Sequence, residues 1–283
     1  MGLYQNRNKR TPVRNGLIVL TYITGLPVLR NLLWRRRGSP ITRILCFHKI
    51  GDLADFERKI RFLCRHYNVV SLNDFTAGRL SLRELNVCIT FDDGSISSLE
   101  ATSILERYHV PATFFLCSGY LDCRTQEEWE SFCRERLKLQ IPESSMGWDG
   151  AQFLAHHPLF QVGGHTRHHK SLGRLEDPEE VLREILSDKQ ILEEQLGCTV
   201  EHFAYPFGYP GDFAGHARNA VTKAGYRLAV TLIPGPNTTT RDRLLLHRDC
   251  LDEVSSSFLI RAWMEGGYDF WKALQIRRQL NEL

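Results

Sequence analysis

The chain has 283 residues, 42% of them hydrophobic and 24% charged, with a net charge of +3. That length suits one domain the size of an all-parallel barrel, and the composition is ordinary for a globular protein. The charge is too small to argue for nucleic acid, and no basic–aromatic pattern, internal repeat or low-complexity tract is present.

The cations are unevenly placed. A basic start, MGLYQNRNKRTPVRN, precedes GLIVLTYITGLPVLRNLLW (residues 16–34), and RRRGSPITR follows. The apolar run from Gly16 to Leu29 falls short of the roughly 18–20 residues that span a bilayer, and Pro27 breaks it. Trp34 followed by three arginines does not resemble a signal-cleavage site. Lys and Arg number four on each flank, in residues 1–15 and 35–43, so they set no orientation. Tyr22, Trp34 and the arginines suit a segment lying among the headgroups of an anionic leaflet; a buried helix packing on the domain is the plain alternative. The expectation is peripheral association through residues 16–34 on the cytoplasmic side of the membrane. An anchored protein with a periplasmic domain is the alternative.

From residue 43 short apolar runs alternate with helical periodicity. RILCFHKI (43–50) reads as a strand and FERKIRFLCRHY (56–67) as a helix. YNVVSL and NVCITF (86–91) read as strands, SSLEATSILERYH as a helix, and VPATFFL (110–116) as a strand. Residues 120–158 read as an inserted helical or loop excursion. FQVGGH is the next strand, and residues 177–197 form the clearest helix, with Pro178 in its first turn and Gly197 at its end. VEHFAYPFG and YRLAVTLI are strands around a helix near 211–225, and the tail 252–280 is helical. Repeated strand–helix units predict an α/β fold on a parallel sheet. The eight cysteines form no CxxC pair, and Cys46, Cys88 and Cys117 lie in apolar strands, which favours reduced thiols.

In such sheets ligands bind beyond the carboxyl ends of the strands. The polar residues there are His48, Asp92 and Asp93, the HTRHH run (165–169), Phe207-Gly208 and His247. Carboxylates and histidines on one rim most simply make a metal site with an open position, a hydrolytic arrangement. His165 and His169 are four apart and can point the same way, whereas His168 diverges. One aspartate completes the ligand set and its neighbour stays free as a base. Taken singly, the Asp pair is as well read as a cap or turn, and the His pair as an exposed face.

TFDDGS (90–95), GGHTRHHKSL (163–172) and FAYPFGYP (203–210), in that order, resemble the three motifs of the polysaccharide deacetylases of the NodB-homology type, carbohydrate esterase family four. The resemblance runs from about Ile44 to about Arg248. It implies a distorted (β/α) barrel of about seven parallel strands and metal-dependent removal of an N-acyl group, usually N-acetyl, from an amino sugar. It also implies that Asp92 is the catalytic base and that Asp93, His165 and His169 are the metal ligands, with Thr166 bracing their loop. Phe207 stands where a backbone N–H holds the oxyanion, and His247 is the candidate general acid. Tyr205, Pro206 and Arg248 are the candidate substrate-binding residues, Arg248 through an anionic group. His48 is expected to be a rim or core-edge residue rather than a ligand. The arginine that many members carry in the third motif, paired with the catalytic aspartate, is replaced here by Ala204.

The implied organisation is a membrane-associating segment at 1–40, a catalytic domain at 41–251 and a helical tail at 252–283. The implied cofactor is a divalent metal, zinc first, with cobalt, nickel, manganese or iron suiting the same donors. The expected substrate is an N-acetylated amino sugar in a cell-envelope polysaccharide or a lipid-linked glycan precursor. The alternatives are a deformylase or O-acetyl esterase on a lipid-linked sugar, or a non-catalytic sugar-binding protein on the same fold.

Overall fold

The computed structural model describes residues 7–213, 215–251, 254 and 256–271. Its strands are β1 (Thr42–Phe47), β2 (Asn68–Val69), β3 (Asn86–Phe91), β4 (Ala112–Leu116), β5 (Phe160–Gly164), β6 (His202–Ala204), β7 (Leu228–Val230) and β8 (Asp249–Cys250). Seven follow the order β7-β6-β5-β4-β3-β1-β8, and every pairing is parallel. The short β2 lies beside Asn86 and Val87 of β3, because β4 pairs with β3 only from Ile89 onward. Bridges Val230↔Leu246 and Thr42↔Asn237 carry residues 237–246 across the gap between β7 and β1. The result is the distorted, curled (β/α) barrel expected from the motifs.

Side-chain alternation along the strands divides the core into two layers. Ile44, Cys88, Phe115, Ala204, Leu228, Val230 and Leu246 fill the inside of the curl. Leu45, Phe47, Ile89, Phe91, Phe114 and Leu116 face the surrounding helices, with Phe91 and Phe114 stacked 4.7 Å apart. The near-continuous apolarity of β1, β3 and β4 follows from burial on both faces.

The helices form where periodicity and caps agree. Asp52 caps Leu53–His66 by accepting from the N–H groups of Ala54 and Asp55. Asp177 caps Pro178–Leu196, which Gly197 ends in the left-handed conformation. The expected single helix over SSLEATSILERYH is two short ones, Ile96–Glu100 and Thr102–Arg107. The 120–158 excursion holds the helix Gln126–Phe132, a π-helical turn over Cys133–Leu137, and the helix Gly147–His156. Two helices precede the barrel, α1 (Arg7–Ile23) and α2 (Leu26–Arg36). Of the tail, Ser257–Met264 is helical, and residues beyond Trp271 lie outside the described set.

One buried ion network ties the chain ends to the barrel. Arg43 on β1, 1% exposed, pairs with Asp249 at 2.9 Å and Asp269 at 2.8 Å, and its Nε donates to the Met264 carbonyl. Trp263 Nε1 donates to the second oxygen of Asp249. Removing one member of a buried pair strands the others without water. Arg43→Met is therefore expected to lower unfolding free energy by about 3–5 kcal/mol, measured by denaturant titration. A loss below about 1 kcal/mol, the level of a surface ion pair, would show the network to be energetically neutral.

Candidate metal centre and catalytic rim

The three sequence motifs meet at the carboxyl ends of β3, β5 and β6, and each bends its backbone sharply there. Six non-glycine residues among those described have positive φ, and four belong to the motifs: Asp93 (74°), Thr166 (62°), His169 (50°) and Phe207 (60°). Such conformations cost about 1–3 kcal/mol each and persist only where surroundings enforce them. At Asp93 the bend sends two consecutive carboxylates to different partners. A Cβ on Gly164, just before His165, would overlap the Tyr226 hydroxyl, which explains the glycine ending β5.

Asp93, His165 and His169 form one buried cluster. His165 Nε2 and His169 Nε2 stand 3.6 and 3.5 Å from Asp93 Oδ1. Each imidazole has its other nitrogen on a backbone carbonyl: His165 Nδ1 lies 2.7 Å from Ala204 O, and His169 Nδ1 lies 3.3 Å from Arg136 O. A carbonyl only accepts, so each Nδ1 carries the proton and each Nε2 presents a lone pair to the cluster. Burial pushes the His165 pKa down to about 4 and that of His169 well below its usual value, which keeps both rings neutral. Asp93 Oδ1 is buried with no hydrogen-bond donor, and burial, reinforced by Asp92, pushes its carboxyl up to about 7. Ligands about 2.0–2.2 Å from one tetrahedral ion lie about 3.3–3.6 Å apart, so the spacings on Asp93 fit a shared cation. Two neutral nitrogens and one orphaned carboxylate oxygen are a donor set that a divalent metal satisfies.

Asp92 has the opposite fate. Arg248 donates to both its oxygens, Nη1 to Oδ1 at 2.6 Å and Nη2 to Oδ2 at 2.7 Å. The Cys46 thiol donates to Oδ2 from 3.4 Å. Burial alone would raise the Asp92 pKa, but the Arg248 guanidinium outweighs it and holds the carboxyl well below the usual range. The carboxylate is thus ionised, fixed in plane, and 3.9 Å from His165 Nε2. Arg248 itself is fully buried, with Nε on Thr231 O and Nη1 also near Thr90 Oγ1. The expectation that it binds an anionic part of the substrate is corrected: its donors are spent inside the barrel, where it supplies the cation that Ala204 does not.

His247, expected as general acid, faces the other way. Alternation directs Arg248 inward and His247 outward. Its backbone is clasped by the Asn237 side chain, its Nε2 meets Arg241 Nη1 at 2.9 Å, and burial beside Arg241 pushes its pKa down to about 3. The imidazole that does reach the site is His48, read from the sequence as a rim residue only. Phe47 is in register with Phe91, so the next residues, His48 and Asp92, stand side by side. His48 Nε2 is 3.9 Å from Asp92 Oδ2, and its side chain is 26% exposed. The available signal was the parallel between CFH and TFD at two strand ends.

In the third motif Tyr205 is buried, with its hydroxyl on Leu244 O and its ring against Phe203 and Phe213. Pro206 is buried as well. Neither presents a side chain to the rim, which corrects their assignment to substrate. Phe207 does reach the cluster, its ring edge-on to His169 at 4.5 Å.

The ligand loop is held from outside. Asp188, fully buried on the long helix Pro178–Leu196, accepts from the N–H groups of Ser118 (2.9 Å) and His165 (3.0 Å). One turn earlier Glu184 accepts from the His168 N–H and pairs with its ring, which is why His168 diverges from the centre. Arg136 O, which orients His169, comes from the π-helical turn of the excursion.

The sequence matches the polysaccharide deacetylase family over residues 81–229, just over half of the 283-residue chain. No curated protein sequence matches it. Among solved structures, the chain is similar to the Streptococcus pyogenes deacetylase PplD in complex with acetate, with 18% identity and a TM-score of 0.66 over 80% of this chain and 99% of that one. IcaB from Ammonifex degensii gives 21% and 0.64, covering 80% and 97%. BC0361, a polysaccharide deacetylase from Bacillus cereus, gives 19% and 0.64, covering 80% and 69%. At these identities the structural likeness speaks for the fold, and the motif-bearing match speaks for the family. The chain belongs to the polysaccharide deacetylase family, with the NodB-type barrel, and is a hydrolase of carbon–nitrogen bonds other than peptide bonds.

Proposed function

We propose that the enzyme is a metal-dependent deacetylase acting on the N-acetyl group of an amino sugar, within a cell-envelope polysaccharide or a lipid-linked glycan precursor. The observation that carries this reading is the division of the acid pair: Asp93 unpaired between two imidazole lone pairs, Asp92 clamped in its ionised form beside them. Asp93, His165 and His169 would hold a divalent cation, zinc first among the metals these donors suit. Bound there, it supplies Lewis acidity toward the acyl oxygen and acidifies water.

The remaining work falls to the chain's own groups. Asp92 takes the proton of the attacking water as general base. A carboxylate held by Arg248 is a weak base, but it is always ionised and always in position, so it suits water that is already acidified. His48, beside Asp92 and open to solvent, delivers a proton to the departing amine. The Phe207 ring shapes the acyl end of the site, and its N–H keeps the oxyanion role that the family resemblance assigns. Asp188, through the His165 N–H, keeps the ligand loop in its strained form. The acetate carried by the similar Streptococcus pyogenes deacetylase is in keeping with acetyl as the acyl group.

Acetate release from N-acetylglucosamine oligosaccharides, followed with and without chelator, tests the reaction. Activity is expected to vanish with chelator and return with added zinc. Formate release from formylated sugars with none of acetate would replace the reading by a deformylase. Asp92→Asn is expected to retain metal by elemental analysis while kcat falls by about 10²–10⁴, whereas His169→Ala should lose the metal. Equal metal content in the two variants would remove His169 from the ligand set. For the proton donor, His48→Gln is expected to lower kcat by about 10²-fold or more and His247→Gln to leave it within about twofold of wild type, the scale of an uninvolved residue. The reverse pattern would restore His247 to that role.

A further inference from the structure

We infer that α1 and α2 form a preassembled anchor whose outward face lies in the headgroup region of an anionic phospholipid bilayer, while their inward face stays docked on the C-terminal tail.

The pair is amphipathic in the wrong sense for water. Along α1, residues Arg14, Ile18 and Tyr22, four apart, turn inward. Ile18 is fully buried, the Arg14 guanidinium lies 5.3 Å over the Trp263 ring, and Tyr22 meets Phe258 edge-on at 5.8 Å. Along α2 the inward positions include a polar residue, Asn31, 2% exposed, whose Nδ2 donates to the backbone and side chain of Glu265. Arg30 pairs with Asp269 at 2.6 Å. The outward positions are instead apolar. Ile23 and Leu26 are each 66% exposed, Leu20 57% and Leu29 51%, and Leu32 and Leu33 are little less so. A surface helix in water buries its leucines and exposes its asparagine; this one does the reverse. Phe258, itself 51% exposed, continues the apolar surface onto the tail helix.

Charge selects the occupant. Residues 1–37 contain eight Lys and Arg and no acid, and the first acidic residue of the chain is Asp52. With a net charge of only +3 overall, the rest of the chain is net negative. Arg36 and Arg37 at the end of α2 are exposed next to the leucines. Apolar side chains rimmed by arginines, on the cationic end of an otherwise acidic molecule, match the headgroup–acyl boundary of an anionic leaflet. A crossing is a poorer fit. Among the described residues no single helix is long and apolar enough to cross a membrane, and the two segments that together pass that test, Pro12–Ile23 and Leu26–Trp34, meet at 63°. Surrounding them with lipid would also break the contacts of Arg14, Arg30 and Asn31 with the tail, whereas lying flat keeps them.

The binding is independent of the deacetylase reading and is measured without turnover. The full chain is floated with vesicles of phosphatidylglycerol and phosphatidylcholine, and with vesicles of phosphatidylcholine alone. Preferential, salt-sensitive binding to the anionic vesicles is expected. The exposed triple variant L26S/L29S/L33S should lose about a hundredfold or more in partitioning, and R36E/R37E about tenfold or more. Both should keep the wild-type unfolding midpoint and acetate release from a soluble sugar. Partitioning of the triple variant equal to wild type would overturn the inference. So would resistance of membrane-bound chain to alkaline carbonate extraction, which indicates a span, or a wild-type dimer that the triple variant dissolves, which indicates that a second copy covers the face.

Discussion

The catalytic rim rests on one desolvated pair, the guanidinium of Arg248 lying flat against the carboxylate of Asp92. The sheet order β3-β1-β8 means that Arg248, just before β8, must reach across β1 to meet Asp92, just after β3. The inward residue of β1 at that level is Cys46, small enough to let the guanidinium pass and able to donate its thiol to the same carboxylate. Burial raises the Cys46 pKa to about 12, so it stays a neutral donor and adds no negative charge. Strand order, a small residue at 46 and an arginine at 248 are thus parts of one arrangement. Without the arginine, a carboxylate this deeply buried would take up a proton.

The two acids show how backbone geometry separates chemically identical neighbours. Asp92 ends the regular extension of β3 and keeps the inward direction of Thr90 and Cys88. The left-handed turn at Asp93 then swings the next carboxylate toward β5, where two imidazoles wait with their lone pairs exposed. Each residue is set by what surrounds it: Asp92 is charged by a fixed cation, and Asp93 Oδ1 lacks a donor beside two imidazole nitrogens. The strain at Thr166 and His169 is offset by hydrogen bonds from outside the motifs. Asp188 and Glu184 on the long helix hold the backbone of the ligand loop, and the π-helical turn frees the Arg136 carbonyl for His169. The excursion between β4 and β5 therefore helps to build the candidate metal site.

The same economy of buried charge appears at the opposite face of β1. Arg43, pointing outward from the strand that carries Cys46 inward, gathers Asp249 and Asp269, and through Asp269 it is joined to Arg30 of α2. Strand alternation places Arg248 and Asp249 on opposite faces of the sheet. One joins the candidate site and the other, through Arg43 and Asp269, secures the N-terminal helices, so adjacent residues at the start of one short strand serve both.

Much of this was legible in the residues themselves. The alternation of apolar runs with helical periodicity, and three motifs each at a strand end, were enough for the parallel barrel, the family and the grouping of Asp93, His165 and His169. Those features are local: a run of buried strand, an i to i+4 spacing, an acid pair after NVCITF. Even Glu184 and Asp188 stand on the stripe of their helix that carries Val181, Ile185 and Leu192, acids on an apolar face that needed buried partners. The partners of Asp92 were less legible: only the parallel between CFH and TFD pointed to His48, and nothing pointed to Arg248. His48 and Arg248 lie 44 residues before it and 156 after it in the chain, and they reach it only because β1 and β8 assemble beside β3 in parallel register. Whether His247 or Arg248 points inward turns on a single step of strand phase, which composition does not reveal. Nor does an apolar N-terminal run disclose which of its faces is used. That was decided by the docking of Arg14, Ile18 and Asn31 on the tail, since a helix shows its outward face only once something has covered the inward one.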